Sequence, residues 1–119
     1  MKIAIHGRKF SVESVHFIQQ VFDQLSQHKV EIQVSDVFQR VLLQSGIRLD
    51  NTTVYSNPDE IVDASFAFSL GGDGTFLETL AQVGKREIPI LGFNFGRLGF
   101  LAAVSPENIS QTIHQLVDG

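Results

Sequence analysis

Residues 66–83 read FAFSLGGDGTFLETLAQV. The first part, Phe66 to Leu70, is aromatic and apolar enough for a buried strand. The last part, Thr75 to Val83, has helical spacing, and Leu77, Leu80 and Ala81 are its expected inward face, with Gly84 placed to close it. Between them stand Gly71, Gly72, Asp73 and Gly74. A strand running through a tight glycine turn into a helix is the building unit of an α/β fold with a parallel sheet.

The same alternation recurs outward from this stretch. Upstream, Lys2 to Ile5 is a short β-rich opening that ends at His6-Gly7. Ser11 and Ser14 are candidate N-caps. From Glu13 onward, Val15, Ile18, Val21, Phe22 and Leu25 share one helical face. Val30 to Val34 alternates as a second strand, and Asp36 is placed to cap a helix through Leu43 that Gly46 bounds. Thr52 to Tyr55 has strand propensity, and Asn57-Pro58 is a turn signal. Downstream, Ile88 to Leu91 is a compact apolar strand entered through Pro89, and Leu98 to Val104 a short extended segment. Ser105 and Pro106 open a last helix with Ile109, Ile113, Leu116 and Val117 on its apolar face. The expected fold is α/β: a three-layer, open, mostly parallel sheet with helices on both faces, Rossmann-like or flavodoxin-like. Ala4-Ile5, Phe66 to Leu70 and Ile88 to Leu91 are its expected centre.

Composition narrows the function. The chain has 119 residues, the size of one domain, and 43% of them are apolar. It has no cysteine, so disulfides, thiol nucleophiles and thiolate metal sites are excluded. No apolar run has the roughly 18–20 residues of a membrane helix, and the apolar start of MKIAIHGRKF is too short for a signal peptide. The formal net charge is -4, and the nearest basic cluster is the pair Lys85-Arg86, expected to face solvent. A nucleic-acid binder would carry a basic patch. The expectation is a soluble, cytoplasmic domain acting on small molecules, with neither nucleic acid nor membrane as partner.

Ligands of open α/β sheets collect beyond the carboxyl ends of the strands. Two glycine-rich loops are expected there. In Gly71-Gly72-Asp73-Gly74-Thr75, three glycines expose backbone N–H groups in front of a helix N-terminus, a combination that binds phosphate. The loop is neither GxGxxG, because position 77 is leucine, nor a Walker A loop. Asp73 would repel a phosphate unless it holds a ribose hydroxyl, accepts a proton from one, or helps hold Mg²⁺. The plain alternative is a tight turn whose Asp caps the helix. The second loop, Gly92-Phe93-Asn94-Phe95-Gly96-Arg97-Leu98-Gly99-Phe100, offers Asn94 as donor and acceptor and Arg97 as a phosphate contact. Phe93, Phe95 and Phe100 either stack on a flat base or pack beneath the loop as core. Together the loops suggest a nucleotide and an alcohol acceptor, with positioning and charge stabilisation supplying most of a phosphoryl transfer.

The stretches LGGDGTFLETL, 70–80, and ILGFNFGRLGFLAAV, 90–104, resemble the N-terminal domain of NAD kinases. Diacylglycerol and sphingosine kinase-like lipid kinases share GGDGT, and 6-phosphofructokinases have a related GGDGS loop. The second stretch is the more selective one, and the layout agrees over essentially the whole chain. The resemblance implies ATP-dependent phosphorylation of the 2′-hydroxyl on the adenosine ribose of NAD, giving NADP, with a divalent cation such as Mg²⁺. Some family members also use polyphosphate. It assigns Asp73 as the essential aspartate, a base or a ligand-orienting group. Gly71, Gly72, Gly74 and Thr75 fall in the phosphate region, Asn94 and Gly96 in the second loop, and Phe100 at an aromatic position near the adenine. Arg97 falls where the family varies. NAD kinases are longer and carry a second, β-rich domain with an Asn-Glu or Asn-Asp motif. This chain is shorter and lacks that motif, Glu107-Asn108 having the reverse order; the resemblance therefore implies the N-terminal part of a two-domain kinase, inactive alone and homo-oligomeric when full length.

A lipid-kinase relative and a non-catalytic flavodoxin-like interaction domain are the alternatives; neither predicts the second glycine-rich loop. The four histidines, His6, His16, His28 and His114, have no carboxylate at a common metal-ligand spacing and are expected at the surface or an interface, so no metal ligand is assigned. His6-Gly7 can border a nucleotide, and Arg8 and Lys9 are candidate phosphate contacts.

Overall fold

The computed structural model of the chain describes residues 1–94 and 104–118. Strands β1 (Lys2–Gly7), β2 (Glu31–Ser35), β3 (Thr52–Tyr55), β4 (Phe66–Leu70) and β5 (Ile90–Phe93) alternate with helices α1 (Val15–Gln27), α2 (Asp36–Gln44), α3 (Asp73–Val83) and α4 (Ile109–Asp118). The sheet order is β3-β2-β1-β4-β5, and every pairing is parallel. This matches the first five positions of the doubly wound dinucleotide-binding order rather than the flavodoxin-like order. β1 and β4 are central, as expected. β5 is the last strand in the order, with Val104 alone among the described residues bridged to its outer side, and β2 takes the inner position instead.

Side-chain alternation separates the two layers beside the sheet. Ile3, Ile5, Ile32, Val34, Phe68 and Phe93 point to one face, where Ile18, Val21, Phe22 and Leu25 of α1 and Ile109 and Ile113 of α4 cover them. Phe38 and Leu42 of α2 join that core. Ala4 and Ala67 point to the other face and pack with Tyr55, Ile61 and Val83 of α3. Small residues on that face let α3 lie close to the sheet. No helix among the described residues is long and apolar enough to cross a membrane.

Helix ends differ from the expected caps. Ser35 caps α2, its Oγ accepting the Phe38 N–H at 3.2 Å, while Asp36 is the first helical residue. Short 3₁₀ turns precede α1 and α4, and the Ser11, Ser14 and Ser105 side chains make no cap bond. Gly84 closes α3 as expected, but with right-handed backbone angles rather than a left-handed cap, and the chain runs on through a 3₁₀ turn. Lys85 is exposed as expected, whereas Arg86 is half-buried and donates to the carbonyls of Pro58 at 2.6 Å and Gln82 at 3.2 Å.

The face of α3 is the clearest departure. Leu77 and Leu80 are 58% and 46% exposed, whereas Thr75, Thr79 and Val83 are buried. Ala81 is exposed as well. Thr79 Oγ1 donates to the Thr75 carbonyl at 2.9 Å. With its hydroxyl satisfied inside the helix, Thr79 turns its methyl to the core at little cost.

Candidate functional site

The chain runs from β1 outward through β2 and β3, returns to β4 beside β1, and then proceeds the other way to β5. Connections on the two sides of β1 and β4 therefore leave in opposite directions, opening a crevice at their carboxyl ends. Two loops meet there: the one after Gly7 and the one after Leu70.

Only Gly71 and Gly72 separate β4 from α3, so Asp73 and Gly74 lie in the first helical turn, two residues earlier than the sequence pattern places it. Gly71 has φ +155, and a Cβ there would stand 2.6 Å from Thr75 Oγ1. Thr75 is buried beneath the loop, where it braces the turn. Gly72, the N-cap, and Gly74 have open space where a side chain would begin. The first N–H groups of a helix have no intrahelical acceptor. Here that end points into the crevice past two residues without side chains. Asp73 is half-buried at the same end; the capping position itself belongs to Gly72, so Asp73 is not the N-cap.

The second loop begins alongside. Leu70 pairs with Phe93, and the Gly71 N–H donates to the Phe93 carbonyl at 3.0 Å. Asn94 is thus brought beside the first loop, its N–H donating to the Val104 carbonyl at 3.1 Å. Phe93 is fully buried with its ring 4.8 Å from that of Phe68, so it is core rather than a stacking platform. Phe95, Gly96, Arg97, Gly99 and Phe100 lie outside the described residues.

A chain of side chains that the sequence reading did not connect ties the crevice together. His6, only 2% exposed and so not a surface histidine, meets Ser35 Oγ through Nδ1 at 2.8 Å and Glu78 Oε1 through Nε2 at 3.0 Å. An ionised carboxylate only accepts, so Nε2 carries the proton. In the neutral imidazole the Ser35 hydroxyl donates to Nδ1 while accepting from the Phe38 N–H. Arg8 donates to both Glu78 oxygens, from Nε at 2.9 Å and Nη2 at 2.7 Å. Arg8 is therefore engaged with Glu78 rather than held ready for a phosphate. The Arg8 and His6 hydrogen bonds lower the Glu78 carboxyl to about 2. One turn farther along α3, Gln82 accepts from the Tyr55 hydroxyl at 2.6 Å. Burial pushes that phenol up, so it stays a donor. The helix behind the glycine loop is thus fixed to β1, β2 and β3 at Glu78 and Gln82. The sequence marks Glu78 only as an acid one turn beyond the loop; its partners Arg8 and His6 come from the β1–β4 pairing.

Comparison with known proteins gives the family. The family model described as the ATP-NAD kinase N-terminal domain matches residues 3–119. The NAD kinase of Bacteroides fragilis is 40% identical over 116 residues, covering 98% of this chain and 40% of that protein. Those of Cytophaga hutchinsonii and Methanothermobacter thermautotrophicus are 32% and 34% identical, and both cover 100% of this chain. The chain spans about 40% of the length of these curated relatives. The solved structure of MT0777 superposes with a TM-score of 0.64 over 98% of this chain and 96% of that one; at 14% identity it supports the α/β fold alone. A match across nearly every residue, both glycine-rich loops included, sets aside the lipid-kinase and flavodoxin-like alternatives, and the chain belongs to the NAD kinase family as its N-terminal domain.

Proposed function

We propose that this chain supplies one side of a site that phosphorylates the 2′-hydroxyl of the adenosine ribose of NAD from ATP, giving NADP. The observation that carries the reading is the family match over residues 3–119. The open glycine loop at the β1/β4 crevice supports it, with Asp73 at its mouth.

The residues suit the ligands. Gly72, Gly74 and the first-turn N–H groups of α3 suit phosphate oxygens. A Mg²⁺ ion is usually held by one or two carboxylates completed by phosphates, and Asp73 is a carboxylate of that kind. Such an ion would neutralise charge on the transferring phosphoryl group. Asp73 orients the ribose hydroxyl and accepts its proton as the oxygen attacks. Asn94 holds the ligand from the β5 side, and Thr75 keeps the loop in shape from below. Gly96 and Phe100 belong to the same reading, Phe100 against the adenine.

A second, β-rich domain completes both nucleotide sites, a proposal that fits the share of the relatives' length this chain spans. The longer protein is cytoplasmic, self-associates, and takes small molecules rather than nucleic acid or membranes. The test is Asp73→Asn in the longer protein. NADP formation from NAD, ATP and Mg²⁺ should fall by about 10²–10⁴-fold with folding unchanged, as for loss of a positioned base. Wild-type turnover in that variant would overturn the role of Asp73.

A further inference from the structure

At the edge of the sheet away from the crevice, two helices end against each other. His28 follows the last residue of α1, three residues before β2 begins, and Asp118 ends α4. His114 lies one turn before Asp118. One ligand atom from each of His28, His114 and Asp118 lies within 4.8 Å of the others. Asp118 Oδ2 is 2.9 Å from His114 Nδ1 and 3.8 Å from His28 Nδ1. The two imidazole rings are 5.7 Å apart. The expectation that no histidine has a carboxylate at ligand spacing fails here. His114 and Asp118 are an i, i+4 pair on one helical face, and His28 arrives from a helix 86 residues away in sequence by tertiary packing alone.

We propose that His28, His114 and Asp118 form a site for a borderline divalent transition ion of the Zn²⁺ class, distinct from the nucleotide crevice. Three features favour this. Two imidazoles and one carboxylate suit Zn²⁺, Ni²⁺ or Cu²⁺, whereas Mg²⁺ and Ca²⁺ take oxygen ligands. A tetrahedral ion with bonds of about 2.0–2.1 Å holds its donors roughly 3.3 Å apart, a spacing these side chains reach by small rotations because His114 and Asp118 are exposed. Both helices also present their carboxyl-terminal, partially negative ends to the same point. Three protein ligands leave a fourth position for water. A bound ion clamps the end of α1 to the end of α4, and so stabilises the chain without taking part in phosphoryl transfer.

The test titrates ZnCl₂ into the tag-free chain near neutral pH by calorimetry, with Co²⁺ absorption as a second readout. Wild type should bind one ion and melt at a higher temperature with it. His114→Ala and Asp118→Asn should each weaken binding by about tenfold or more. His28→Gln should do the same, His16→Gln should not, and excess Mg²⁺ should not displace the ion. Lack of Zn²⁺ binding by wild type, or equal binding by wild type and all three ligand variants, would overturn the proposal. Because turnover is not read, failure here leaves the role of Asp73 untouched.

Discussion

At the crevice, His6 and Ser35 are buried, and their polar atoms meet partners from α3 and from the start of α2. At the opposite edge, His28, His114 and Asp118 are half-buried or exposed, and they meet one another across two helix ends. Both places hold histidine beside carboxylate. The difference is which elements the side chains connect. Glu78 fixes α3 against β1, so the crevice network is part of the fold and acts without a ligand. The other cluster joins two surface ends, and its contribution depends on what binds between them. Histidine next to carboxylate therefore carries opposite meanings according to burial.

The strongest way to break this contrast is to disturb the crevice floor. Gly7 is buried, and a Cβ there would stand 2.6 Å from the ring of Phe38, which is itself fully buried. The ring has nowhere to move without displacing core. Gly7→Ala should cost about 1–3 kcal/mol by overpacking, read as a lower denaturation midpoint at unchanged slope. His114→Ala, measured without metal, should stay within about 0.5 kcal/mol of wild type, as most surface substitutions do. Equal losses in the two variants would erase the distinction between the edges.

Glu78→Gln is a finer probe. It removes the charge that Arg8 and His6 share but keeps the side-chain length. Hydrogen bonds to charged groups contribute about 1.5–3 kcal/mol when buried, and Glu78 is 39% exposed, so a loss of about 1 kcal/mol is expected. Asp118→Asn should show no comparable loss in thermal or urea unfolding without metal.

The legible and the hidden parts of this molecule differ in physical kind. The strand Phe66–Leu70 and the helical face of Ile18, Val21, Phe22 and Leu25 follow from local periodicity, and the structure has both. The glycine loop and Asp73 were readable because φ freedom and helix-end chemistry are local properties. The strand order was readable only in part: β1 and β4 are central as expected, but β2 rather than β5 is the third inner strand, since that depends on which strands find each other. The sequence therefore points to the carboxyl ends of the central strands, while the point between β1 and β4 where the connections diverge comes from the structure. Leu77 and Leu80 misled for a related reason: apolar spacing marks a face, but the alanines of β1 and β4 select the threonine side of α3. Glu78 and His28 depend on partners 70 and 86 residues away, respectively, and no window along the chain contains them.

The smallest effect is the response to acid. The Glu78 carboxyl lies at about 2 in the folded protein, held there by hydrogen bonds from Arg8 and His6, against an ordinary value of 4.5. A depressed carboxyl stabilises the fold fully above the unfolded-state value, and that stability is lost as pH falls through the folded-state one. Acidification from about pH 4.5 to about pH 2 should therefore remove the Glu78 contribution. Because the group is half-exposed and screened, this is about 1 kcal/mol or less. The measurement is the difference in unfolding free energy between wild type and Glu78→Gln across that range. The gap should narrow toward low pH, because a protonated Glu78 and the glutamine that replaces it are both neutral. A gap that stays constant would mean that the two side chains differ by packing rather than by charge. The crevice would then resemble the opposite edge more than its buried histidine suggests.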